Sequence, residues 1–132
     1  MGMIRKSEIC ASRGGTLAAV AGVWSYLVPA GRFFRIQNVA MSLETTGSTS
    51  GATTVDVKKN GTSILSAVMS IAQGASTKYV AAASVVPGAA GAGEPGGVDV
   101  QPGDVLTVDI TAIPGTASTG LSVVMQTVQK DI

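Results

Sequence analysis

Few side chains in this 132-residue sequence are equipped for chemistry, and their spacing supports none. Histidine is absent, which excludes Ser-His-Asp and Cys-His catalysis and every histidine-ligated metal site. Glu44, Asp56, Asp99, Asp104 and Asp109 carry the carboxylates that an acid–base pair or a cation site would need. They are scattered, without the spacing of a calcium loop. Cys10 is the single cysteine, so no intrachain disulfide can form, and without a basic partner it is expected to be a small buried or unreactive side chain. The expectation is no catalytic, cofactor-binding or metal-ligating residue, no cofactor and no enzyme.

Two motifs match patterns that carry chemistry elsewhere. "GAGEPG" (91–96) has the spacing G-x-G-x-x-G, but a dinucleotide site needs those glycines to lead from a strand into a helix whose N-terminus meets the pyrophosphate. Pro95, Gly96, Gly97 and the strand-like "VDV" that follow argue for a loop. Asn60-Gly61-Thr62 is formally a glycosylation sequon. Its stronger reading is a turn.

The basic residues at the N-terminus, Arg5, Lys6 and Arg13, either solubilise a loose terminus or dock the domain on an acidic surface, with Ile4 and Ile9 as apolar anchors. Elsewhere charge is sparse: charged residues make up 13% of the chain, for a net charge of +1, against roughly 25% in an ordinary soluble domain. That balance offers no broad basic face for nucleic acid, and so little surface charge protects poorly against association. The apolar share is 45% with five aromatics among it, so the core is to be built from Ala, Val, Ile and Leu. The longest apolar stretch, residues 17–28, is about half of what spans a bilayer, and no signal-peptide pattern precedes it. Neither a membrane nor nucleic acid is an expected partner.

The elements that must position these residues read as strands. Residues 1–15 are polar, basic and closed by Gly14-Gly15, an extended N-terminal arm; residues 16–132 form the folded domain. "TLAAVAGVWSYLV" (16–28) favours a strand running into the turn "PAG". In "RFFRIQNVAMSLET" (32–45), Phe34 and Ile36 share one parity and Val39, Met41 and Leu43 the other, the signature of a β-bulge at Gln37-Asn38. Residues 46–53 are a flexible loop, 79–86 a short strand and 87–97 a long Gly, Ala and Pro loop. "VQPGD" (100–104) is a turn in which Pro102 presets φ and Gly103 takes φ > 0. In the strand after it Leu106, Val108 and Ile110 point inward and Thr107, Asp109 and Thr111 outward. After "PGTASTG" (114–120), the last strand places Leu121, Val123 and Met125 on one face and Val124 and Val128 on the other. About seven to eight strands with turn signals between them, and no convincing helix, predict an all-β antiparallel sandwich or barrel.

"VDVKKNGTSIL" (55–65) is the clearest element. Asn-Gly suits a two-residue type I′ turn, whose central residues both need φ > 0. That register pairs Lys59 with Thr62, Lys58 with Ser63 and Val57 with Ile64. It sends Val55, Val57 and Ile64 to the core and leaves Asp56, Lys58, Ser63 and Leu65 outside. Leu65, Val124 and Val128 are therefore candidate subunit-contact residues.

Residues 29–128 resemble a jelly-roll-like β-sandwich module found among structural proteins of tailed bacteriophages. The matching stretches are "VPAGRFFRI" (28–36), "GATTVDVKKNGTSIL" (51–65), "VQPGDVLTVDIT" (100–111) and "GLSVVM" (120–125). The Gly- and Ala-rich insertion at 87–97 and the basic arm depart from the pattern. The resemblance implies a virion structural protein, most like a head decoration (cement) protein on the outer surface of the capsid. It also implies the major capsid protein and a homotrimer of the chain as partners. It carries no catalytic residues. The arm, Ile4, Arg5, Lys6, Ile9 and Arg13, is then the expected capsid-binding segment. The alternative it leaves is a tail or head-fibre tip module that binds a host receptor or carbohydrate through loops 46–53, 87–97 and 114–120. Those loops lack the aromatics that stack on sugars.

Overall fold

The computed structural model describes residues 6–81, 85 and 97–129. The stretch 86–96, with "GAGEPG" and most of the expected loop, lies outside the described residues, as do positions 82–84 of the strand expected over 79–86. Alternating Val, Ile, Leu and Met with Ser, Thr and charged residues yields ten strands: β1 (Lys6–Thr16), β2 (Trp24–Leu27), β3 (Phe34–Thr45), β4 (Ala52–Lys59), β5 (Thr62–Ser63), β6 (Met69–Ala72), β7 (Tyr79–Ala81), β8 (Val98–Val100), β9 (Val105–Ala112) and β10 (Thr119–Gln129). No helix occurs among the described residues.

The strands form two antiparallel sheets. The first runs β1-β10-β3-β7, with β8 also on β3; the second runs β2-β9-β4-β5, with β6 also on β4. β7 and β8 share one edge of β3, at residues 40–42 and 34–36, and β5 and β6 likewise share one edge of β4. Each sheet is therefore four positions wide. The pairings nest, β1 with β10, β2 with β9, β3 with β7 and β8, β4 with β5 and β6. A chain doubled back on itself and rolled in this way is a jelly roll, and the innermost turn of the roll is Asn60-Gly61.

That turn has the predicted geometry, with φ of 52° at Asn60 and 84° at Gly61. Lys59 pairs with Thr62 and Lys58 with Ser63, and the Ile64 amide donates to the Val57 carbonyl at 2.9 Å. Val55, Val57 and Ile64 are buried. The bulge is also in place: Gln126 faces Asn38 and Thr127 faces Ile36, so Gln37 is the extra residue. It lets Phe34 and Ile36 on one side of it and Val39, Met41 and Leu43 on the other all enter the core. From the opposite sheet come Leu106, Val108 and Ile110, and from β10 Leu121, Val123 and Met125, all buried as expected.

Several expectations are corrected. Residues 6–16 are extended, but they are a sheet strand rather than a free arm. Ala11 is buried and Ile9 packs against the core, so alternation gives the segment an apolar, core-facing side while β10 pairs along its length. The strand expected over 16–28 shrinks to Trp24–Leu27. Its first half loops outward at Gly22, while the Val20 carbonyl still accepts from Ile110 and the Val23 amide still donates to Val108. Leu65 is buried, not outward. The chain leaves the ladder after Ser63, whose hydroxyl accepts the Leu65 amide at 3.2 Å, and Leu65 turns inward to bridge Val85. Cys10 is exposed rather than buried, because it falls on the outward parity of β1.

Candidate assembly surface

The outward residues of the first sheet line up in rows across four strands. Cys10 lies opposite Val124, Val124 opposite Ala40, and Ala40 opposite Ala81. The next row runs Ser12, Ser122, Ser42, Tyr79. These eight positions carry no charge, and seven of the side chains are small or aliphatic. Tyr79 stands out from them at 71% exposure. Below them, the row Glu8, Gln126, Asn38 is polar, with an Asn38–Gln126 amide contact at 3.3 Å. The face is built by the same alternation that fills the core: Ala40 and Ser42 alternate with the buried Val39, Met41 and Leu43, and Ser122 and Val124 with the buried Leu121, Val123 and Met125. Val124 is at its centre and Val128 further along β10, both half-buried.

β1 stands at the edge of this sheet. At 11 residues it is the longest continuous edge among the described residues; the other edges are the short β2, and pairs of short strands. A long edge strand presents backbone donors and acceptors that a further chain can satisfy. Arg13 is exposed on it, and Ile9 is engaged with the chain's own core. Ile4 and Arg5 lie outside the described residues, and Lys6 is placed only by its pairing with Val128.

Asp56, Asp99, Asp104 and Asp109 are occupied structurally, while Glu44 is exposed. Asp56 and Asp109 face each other across β4 and β9 and are nearly buried, though both belong to the outward parity. Asp56 accepts from the Ser63 hydroxyl at 2.6 Å and the Val57 amide at 2.9 Å. Asp109 accepts from the Gly22 amide at 2.7 Å and pairs with Lys58 Nζ at 2.9 Å. Burial works to raise the Asp109 carboxyl's pKa, but the Lys58 and Gly22 hydrogen bonds and the Lys58 charge outweigh it and hold it below the ordinary value. The same bond to Asp109 raises Lys58. Asp104 takes Asn60 Nδ2 at 2.8 Å and the Gln101 amide at 3.0 Å. There too burial pushes upward, and the Gln101 amide, the Asn60 amide and the Lys59 charge carry the net shift downward. Asp99 binds the Arg35 guanidinium at 2.7 Å. Among the described residues no three Cys, Asp or Glu side chains gather where a metal ion could be held. A depression of about 300 Å³ beside the bulge, lined by Ser7, Glu8, Gln37, Asn38, Gln126 and Thr127, contains one titratable group and no nucleophile–base pair.

Two of the expected recognition loops are bound to each other. Ser48 bridges Thr116, the Gly115 amide donates to the Ser50 carbonyl at 3.0 Å, and the Thr49 and Thr116 hydroxyls lie 3.2 Å apart. Tyr79, Ala40 and Ala81 are the surface residues that sequence reasoning passed over. The signal was present in β3, where Ala40 and Ser42 alternate with Val39, Met41 and Leu43.

The arrangement defines an all-β jelly-roll sandwich with an uncharged patch on one outer face and, among the described residues, one long edge strand. No protein-family model matches the sequence, and no curated protein matches it. Among solved structures the chain is similar to one described as the cyanophage Pam1 capsid asymmetric unit, with a TM-score of 0.54 and 12% identity, over 96% of this chain and 85% of that one. At that identity the likeness is one of fold.

Proposed function

We propose that the protein is a virion structural protein of a tailed bacteriophage, a head decoration (cement) protein that sits on the outside of the capsid and bridges its subunits. The observation that carries this reading is the shared fold, over nearly the whole chain, with a chain of a cyanophage capsid. The engagement of Asp56, Asp99, Asp104 and Asp109 in hydrogen bonds and ion pairs supports a role in assembly over one in turnover. Copies associate through the uncharged outer face around Val124 and Tyr79, as a homotrimer. The β1 edge, with Arg13 on it, and the residues before it meet the major capsid protein. A ligand that binds only the assembled shell stabilises it by mass action, about 2.7 kcal/mol at a concentration one hundred times its Kd.

The test is the copy number of this chain in purified particles, with binding of the isolated protein to heads that lack it. A copy number that scales with the shell, and saturable binding to such heads, support the decoration role. A few copies per particle, or binding of the isolated domain to host cells or glycans, would replace it with the fibre-tip reading.

A further inference from the structure

We propose that Asn60 is a conditional modification site, whose side-chain amide closes onto Gly61 and converts to aspartate or isoaspartate only when the hairpin tip detaches from the turn bearing Asp104. In this reaction the Gly61 backbone nitrogen attacks Cγ of Asn60. The new C–N bond closes a five-membered imide, and the side-chain nitrogen leaves as ammonia with the proton that the Gly61 nitrogen gives up. Water from the solvent then opens the ring at either carbonyl, giving aspartate or isoaspartate. A glycine after the asparagine leaves the attacking nitrogen uncrowded.

Burial does not protect this site. Asn60 and Gly61 are both exposed, and nothing lies within 4 Å of where a Gly61 side chain would begin. The restraint is a clamp that engages both ends of the amide. Asn60 Nδ2 donates to Asp104 Oδ1 at 2.8 Å, and Asn60 Oδ1 accepts from the Val105 amide at 2.9 Å. The Asn60 amide also donates to the Val105 carbonyl at 2.8 Å. Cγ cannot swing to the Gly61 nitrogen without giving up both side-chain bonds. The rate of conversion therefore follows the population of the opened tip.

Conversion is also one-way for the clamp. An aspartate at this position exchanges a donor for an acceptor and sets a second negative charge against Asp104. Isoaspartate adds a methylene to the backbone of a two-residue turn. A transient opening at the centre of the roll thus becomes a lasting one.

The experiment incubates the full chain at mildly alkaline pH, under native conditions and in urea that unfolds it, and follows the Asn60 peptide by mass spectrometry with isoaspartate resolved. Conversion is expected to be at least about tenfold slower in the folded protein, as local opening limits it. The variant Asp104→Ala is expected to bring the native rate towards the unfolded one; should that variant not fold, the wild-type comparison decides alone. Equal rates in the two states, or no conversion in the unfolded chain, would overturn the proposal.

Discussion

Lys58 Nζ lies 2.9 Å from Asp109 Oδ2, across the two central strands of the second sheet. This cation makes tolerable a cross-strand pair that would otherwise oppose folding, because Asp56 and Asp109 are directly opposite each other and like charges so placed repel. The pair sets a pH window. Asp109 and Asp104 are held below their ordinary value of 3.8 in the folded chain. Their contribution is fully present above that value and is lost as pH falls through the lowered folded values. Lys58 is raised above 10.5, so its contribution is present below 10.5 and is lost as pH rises through the folded value. Urea unfolding at a series of pH values is expected to give a plateau from mildly acidic to mildly alkaline conditions, with decline at both ends. Stability that stayed flat into strong acid would contradict the assigned bonds.

The tip of the roll offers a cleaner measurement. Asn60→Gly keeps a residue that accepts φ of 52° and deletes only the bonds to Asp104 and Val105. A net hydrogen bond contributes about 0.5–1.5 kcal/mol, and an acceptor left unsatisfied costs more. The variant is expected to lose about 1–3 kcal/mol in denaturant titration, with an unchanged m-value. A loss of only a few tenths would mean that the tip is not clamped in solution.

Gly47 is a second backbone-limited position. Its φ is 76°, and a Cβ added there would meet the Thr116 carbonyl oxygen at 2.5 Å and the Ser118 nitrogen at 3.0 Å. Backbone cannot yield as a flexible side chain would, so Gly47→Ala is expected to cost more than about 1 kcal/mol. It should also loosen the contact between loops 46–53 and 114–120, read as faster amide exchange at Thr116, whose N–H is bonded to Ser48 at 2.9 Å.

Deleting residues 1–14 is expected to remove most of β1 and uncover β10, whose Val123 and Met125 are fully buried. A free arm could be cut without consequence; an edge strand carrying the buried Ala11 cannot. The truncated chain should unfold at lower denaturant or aggregate, followed by circular dichroism and light scattering. A truncated chain of unchanged stability would return the segment to the role of an arm.

The fold was legible wherever a local rule sufficed. Asn-Gly dictated its turn, the parity switch in β3 dictated the bulge, and Pro102-Gly103 dictated the turn before β9, where the Asp104 amide donates to the Gln101 carbonyl at 3.1 Å. What failed depended on distant partners. The β1 segment looks polar because half of it faces outward, and only β10, more than a hundred residues on, makes it a strand. Leu65 followed the hairpin parity until Ser63 ended the ladder. Asp56 and Asp109 have outward parity, but Lys58, Ser63 and the 20–23 loop cover them. The neutral face was half legible, since Val124 was marked by its parity. Its neighbours Ala40 and Ala81 acquire meaning only once the strand order is known.

That face yields the sharpest test of assembly. Val124 is half-buried among small neutral neighbours, with Cys10 on one side and Ala40 on the other. Val124→Glu points its carboxylate away from the core, so the folded chain should change little, within about 1 kcal/mol. In an interface between copies the same charge would be buried without a partner, which costs several kcal/mol. The variant is therefore expected to remain folded but sediment as a monomer at concentrations where the parent protein associates. Tyr79→Ala should weaken association in the same direction by removing an aromatic anchor. Equal sedimentation of parent and variants, with the parent associated, would move the interface off this face.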